Sequence, residues 1–115
     1  MAKRRMIAIS GIESDAFCCL SASAQMLYLH LNTNADDDGI VDKWKSILRY
    51  LRVKQTHLDS LIDAGLVIIL PSGLLVISDW LVHNHIRQDR YVASPYRDEL
   101  ELLQLQPNGR YIKAF

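Results

Sequence analysis

The amino-acid sequence predicts an α+β domain, mainly helical, in which a long helix leads into two short helices joined by a tight turn, a β-hairpin follows, and a last helix closes the chain. Three observations predict it. Apolar residues recur at helical spacing in separate stretches between residues 21 and 64. The period changes after Gly65, where two β-rich runs flank Pro71-Ser72-Gly73. The chain has 115 residues, half of them apolar, with 13 basic against 13 acidic side chains. That composition excludes disorder, supports one core without staples and leaves no room for a second full domain, so residues 1–115 are expected to form a single domain.

The first five residues, with Lys3, Arg4 and Arg5, read as a flexible basic tail. They open like a signal peptide, but Ser10, Gly11 and Glu13 end the apolar stretch far short of an h-region. A brief helical turn is expected around Ser14 to Leu20, with Phe17 and Leu20 on one face. From Ser21 to Leu31, Ala24, Leu27, Tyr28 and Leu31 share a helix face, and Ser21 or Ser23 can accept an orphan backbone N–H at its start. Asn34-Ala-Asp-Asp-Asp-Gly39 is a turn, in which Gly39 supplies a positive φ before Ile40-Val41, a candidate short third strand. Consecutive aspartates lack the alternating ligands and distal glutamate of a calcium loop, so these carboxylates are expected to accept backbone N–H bonds near Gly39.

A second helix runs to Leu51 with Asp42 as its N-cap and Trp44, Ile47, Leu48 and Leu51 on one face. After a three-residue break, Thr56 to Ala64 turns Leu58, Leu61 and Ile62 inward and ends at Gly65. Leu66 to Leu70 and Leu74 to Ser78 form the hairpin. Asp79 to Ile86 lacks clean periodicity and reads as a turn or short helix, and a C-terminal helix is expected over 95–105, opened by Pro95 and presenting Tyr96, Leu100 and Leu103. This is the element order of a winged helix-turn-helix with a two- or three-stranded wing and an additional C-terminal helix. Its core should pack Trp44, Ile47, Leu48 and Leu51 with Leu58, Leu61 and Ile62 under the hairpin.

Candidate chemistry is sparse. Cys18 and Cys19 are adjacent, a spacing that makes no disulfide framework, and read as free thiols in a reducing cytosol. His83 and His85 stand at i and i+2, so no regular element makes them joint ligands, and His30 joins them only through a tertiary contact. No phosphate loop or catalytic constellation is present, and no enzyme activity, cofactor or metal is expected. The most apolar segment, Leu66 to Ile77, is cut by Pro71-Ser72-Gly73, so no membrane partner is expected.

The charge distribution is more informative. Between Asp42 and Asp59 the chain carries Lys43, Lys45, Arg49, Arg52 and Lys54 and no acid. The run covers the first helix and turn of the helix-turn-helix, from which cations meet phosphates across a groove, and Tyr50 and Gln55 add hydrogen-bonding groups. Arg87 and Arg90 extend the candidate DNA patch. A solvated helix face is the competing explanation. The next helix turns Asp59 and Asp63 outward beside His57 and Ser60, and the turn Pro71-Ser72-Gly73 is uncharged, which favours protein association over groove readout.

Several segments together resemble the N-terminal domain of bacteriophage replisome organizers, relatives of the DnaD-type replication-initiation proteins. They are Lys3-Arg-Arg-Met6, Ser21 through Leu31, Asn34-Ala-Asp-Asp-Asp-Gly-Ile-Val41, Leu61-Ile-Asp-Ala-Gly-Leu-Val67, and Trp80 through His83-Asn84-His-Ile86 to Asp89-Arg90-Tyr91, in order over residues 3 to 111. The resemblance implies a winged-helix module in the bacterial host cytoplasm that binds origin DNA, duplex or single-stranded, and helps assemble replication proteins such as helicase-loading machinery. A second, C-terminal domain often carries further contacts in such proteins, so helicase recruitment is not carried over to this chain. A protein-interaction or homo-oligomerisation domain of the replisome is the alternative, and a transcriptional regulator the third.

Overall fold

A 12-residue helix carries the rest of the fold. The computed structural model describes residues 4–115, in which α1 (Ile9–Ile12) and α2 (Asp15–Cys18) precede this long helix, α3 (Ala22–Thr33). Ser14 and Ser21 cap α2 and α3 by accepting the N–H of Phe17 and Ala24. Ala24, Leu27, Tyr28 and Leu31 are buried, as their spacing predicts.

Beyond the Asp36–Asp38 turn come β1 (Ile40–Val41), α4 (Trp44–Leu51), α5 (Gln55–Asp63), β2 (Val67–Ile69), β3 (Leu75–Ile77) and α6 (Trp80–His83). β3 is the central strand, antiparallel to β2 on one side and β1 on the other, so Val76 lies between Ile68 and Ile40. Gly39 enters β1 at φ +81°, and a Cβ there would lie 2.5 Å from Cγ of Trp80. Both the backbone conformation and the close indole exclude a side chain.

Lys43, and not Asp42, holds the N-cap position of α4, and it makes no side-chain cap bond. Asp42 comes too early because Val41 is still paired with Leu75 in β1. At the other end Arg52 adopts φ +58°. Its N–H reaches the Arg49 carbonyl and the Val53 N–H reaches that of Leu48, which is the Schellman pattern with an arginine where glycine is usual. Leu48 and Val53, at the two ends of the motif, both pack on the core.

The core has two compartments, one on each face of the sheet. Trp44, Ile47, Leu58 and Leu61 join α3, Val67, Leu75 and Ile77 in the first, with Leu48, Leu51 and Ile62 at its margin. Ile40, Ile68, Leu70 and Val76 point the other way and meet Leu103, Leu100 and Tyr111.

That second compartment corrects the expected C-terminal helix over 95–105. The chain forms a 3-10 helix at Arg97–Leu102, then β4 (Leu103–Leu105), which pairs antiparallel with β5 (Tyr111–Lys113). Leu100, on the 3-10 helix, and Leu103, at the start of β4, both cover the sheet. The Tyr111 N–H donates to the Ser78 carbonyl, anchoring the new hairpin to the end of β3.

The expected flexible tail over residues 1–5 is also corrected in part. Residues 1–3, Lys3 among them, lie outside the described residues, whereas Arg5 is locked into the fold. Its Nη1 is 2.9 Å from Asp37 Oδ1, its Nη2 donates to the Ala35 carbonyl, and its guanidinium lies 5.1 Å from the Trp80 ring centre. The radius of gyration, 13.3 Å, is that of a compact chain of this length, about 13 Å. Among the described residues, no helix is long and apolar enough to cross a membrane.

Candidate nucleic-acid interface

Because Trp44 and Ile47 turn into the core, α4 is left with an outward face of Lys45, Ser46, Arg49 and Tyr50. Lys43 precedes that face, and Arg52, Lys54 and Gln55 continue it through the turn into α5; all are exposed. None of the five cations makes an ion pair among the described residues. The Arg49 Nη2 lies 3.4 Å from Ser46 Oγ, and Lys45 Nζ lies 5.5 Å from the Trp44 ring centre. The result is a surface of unneutralised positive charge on a rigid helix and its turn, able to meet several phosphates at once.

The neighbouring elements carry the opposite character. On α5, Asp59 and Asp63 are exposed, and Gln55 Nε2 donates to Asp59 Oδ1 at 3.2 Å. The turn of the β2–β3 hairpin carries no charge and does not stand free. Trp44 Nε1 donates to the Gly73 carbonyl at 2.9 Å, tying the turn to the start of α4.

Arg87 and Arg90 are the two cations expected to extend this patch. They line a groove of about 1060 Å3 together with Arg4 and Arg5, and no residue from 43 to 55 lines that groove. The Arg87 Nη2 lies 3.0 Å from Asp89, an exposed pair of little energetic weight.

Asp36 and Asp37 line one wall of the groove, and Asp38 continues the same turn. Asp36 Oδ1 accepts the N–H groups of Asp38 and Ile40, the local role expected of this turn. Asp37 receives Arg5 on one oxygen and the Val92 N–H on the other. Burial pushes its carboxyl upward, but the Val92 N–H and Arg5 outweigh that and hold it below the usual aspartate value. Asp38 accepts Tyr91 Oη at 2.7 Å and the Ser94 N–H at 2.8 Å. Desolvation and this carboxylate together push the Tyr91 phenol up to about 12. Sequence reasoning missed this clasp. Its available signal was the dense polar run from His83 to Tyr91 without periodicity, the mark of a backbone held by side chains.

The histidines are not brought together. His83 is buried, accepts the Ala8 N–H on Nδ1 and lies 2.6 Å from Tyr28 Oη through Nε2. Burial lowers its pKa, against the pull of Asp79. His30 faces Tyr50, with ring centres 6.1 Å apart, and His85 is exposed. Among the described residues, no three His, Cys, Asp or Glu side chains gather at metal-binding distance. Cys18 and Cys19 are free and exposed. Comparison of the chain with family models, with curated proteins and with solved structures gave no match.

Proposed function

We propose that this chain is a DNA-binding winged-helix module of a bacteriophage replication-initiation protein, in which Lys43, Lys45, Arg49, Arg52 and Lys54 contact the phosphate backbone. The observation that carries the reading is the exposed, unpaired and acid-free run of five cations over α4 and its turn. The element order α3, β1, α4, α5 and β2–β3, with β3 central, supports the winged-helix assignment. Phosphate contact is the stronger half of the proposal. Affinity would come from counterion release, and α5, with Asp59 and Asp63 outward, is poorly suited to reading base edges. Replication partners, helicase-loading machinery among them, follow from the resemblance to replisome organizers.

The test is a salt titration of duplex and single-stranded DNA binding with Lys45→Ala/Arg49→Ala. Binding should weaken similarly on all sequences, and the slope of log K against log salt should flatten by up to about two units, one per lost phosphate contact. Wild-type affinity and slope in the double variant would overturn the proposal. The second reading, a protein-interaction module of the replisome, is favoured by the exposed Asp59 and Asp63 and the uncharged turn held by Trp44.

A further inference from the structure

We propose that the groove between the N-terminal segment and residues 84–95 docks an acidic peptide segment of a partner protein through an apolar anchor. This goes beyond the DNA reading and does not rest on it, since no residue of the α4 patch lines the groove. Its volume, about 1060 Å3, lies just above the range of small-molecule sites, roughly 300–1,000 Å3. An open groove of that size suits a length of polymer better than a metabolite.

The lining then selects the polymer. Met6, Ile86, Val92, Ala93 and Pro95 contribute aliphatic surface, and Met6 and Val92 are exposed large apolar side chains. Arg4, Arg87 and Arg90 add cations. Arg4 and Arg90 make no ion pair among the described residues, whereas Arg5 is already neutralised by Asp37. Aliphatic surface among free arginines complements a segment that alternates apolar and acidic side chains.

A nucleic-acid strand fits less well, for two reasons. No Phe, Tyr or Trp ring lines the groove, so bases lack the broad stacking platform those side chains supply. Asp36 contributes a carboxylate to the lining, which repels a continuous phosphate chain, while a peptide can offer it an N–H.

The backbone supports the same choice. Asn84 is extended at φ −124° and ψ 134°, and the chain after it belongs to no strand. Among the described residues, the N–H groups of His85, Ile86 and Arg87 donate to no backbone carbonyl. Asn84, which lines the groove and is 6% exposed, spends its Oδ1 on the Met6 N–H and leaves a buried Nδ2 without an acceptor. An extended peptide supplies carbonyls to unpaired main-chain N–H groups, as in strand addition.

The probe is a short fluorescein-labelled peptide in which aspartates flank a Leu-Ile pair, followed by fluorescence anisotropy with the whole chain. Saturable binding is expected, weakened at least tenfold by Arg87→Glu/Arg90→Glu and by Arg4→Glu. All three side chains are exposed, so circular dichroism should show an unchanged fold. Replacing the aspartates of the peptide by asparagine should cost a similar factor, and Lys45→Ala/Arg49→Ala should change nothing. No saturable binding to the wild-type chain, or binding indifferent to Arg4, Arg87 and Arg90, would overturn the proposal. So would labelled oligothymidylate that binds in the peptide's place and is lost in the Arg87/Arg90 variant.

Discussion

Arg52 carries both the strain and part of the charge of the turn between α4 and α5. A left-handed conformation costs an L-residue about 1–2 kcal/mol relative to the right-handed one, and glycine avoids that cost. The Schellman pattern around Arg52 needs the backbone shape and not the guanidinium. Arg52→Gly is therefore expected to raise stability by about 0.5–1 kcal/mol, the greater freedom of glycine in the unfolded chain offsetting part of the gain. On the proposed DNA-binding reading, the same change should flatten the slope of a salt titration by about one unit. Denaturant unfolding beside that titration checks both halves, and a destabilised variant would show that the side chain supports the turn. The sequence marked a break at this place, but a positive φ on arginine has no compositional signature.

At the scale of elements, α6 shows how a helix of four residues secures a neighbour with no core of its own. α1 buries no residue. The segment leading into it is held by the Ala8 N–H on His83 Nδ1 and the Met6 N–H on Asn84 Oδ1. Protonating Nδ1 removes the first of these bonds, and burial already lowers the pKa of His83. A histidine with a folded pKa below its unfolded value, about 6.5, contributes stability that is whole above that pH. The contribution is lost as pH falls through the lower folded value. Thermal melts between pH 7.5 and pH 5 should show that loss, and His83→Asn, which keeps an acceptor but cannot take the proton, should flatten it. An equal acid slope in both chains would place the titrating group elsewhere.

The whole molecule is organised around a sheet that is covered on both faces. The runs Leu66 to Leu70 and Leu74 to Ser78 are nearly continuous in apolar residues and do not alternate, and that pattern belongs to strands buried on two sides. The cover for the second face comes from the 3-10 helix and the β4–β5 hairpin. Deleting residues 103–115 should uncover Ile40, Ile68, Leu70 and Val76. The loss is expected to exceed about 3 kcal/mol, since burying one such side chain fully contributes roughly 1.5–3 kcal/mol. Chemical denaturation and size-exclusion chromatography check it. A truncated chain that is monomeric and equally stable would mean that the second compartment contributes little.

The sequence by itself determined the inward faces of α3, α4 and α5, the hairpin, the turn at Gly39 and the run of cations on α4. Each depends on residues within a few positions of one another, where helical period, strand composition and turn chemistry act directly. Leu27 and Leu31 or Leu58 and Leu61 are legible because four and three residues bring side chains to one face. The tertiary structure alone decided that Arg5 closes on Asp37, Met6 on Asn84 and Tyr91 on Asp38, across separations of 32, 78 and 53 residues. It also decided that Arg87 and Arg90 line a groove to which α4 contributes no residue, and that Leu103 begins a strand and does not end a helix. Such outcomes rest on which distant donor meets which acceptor and which apolar face still lacks a cover, and no local spacing encodes that.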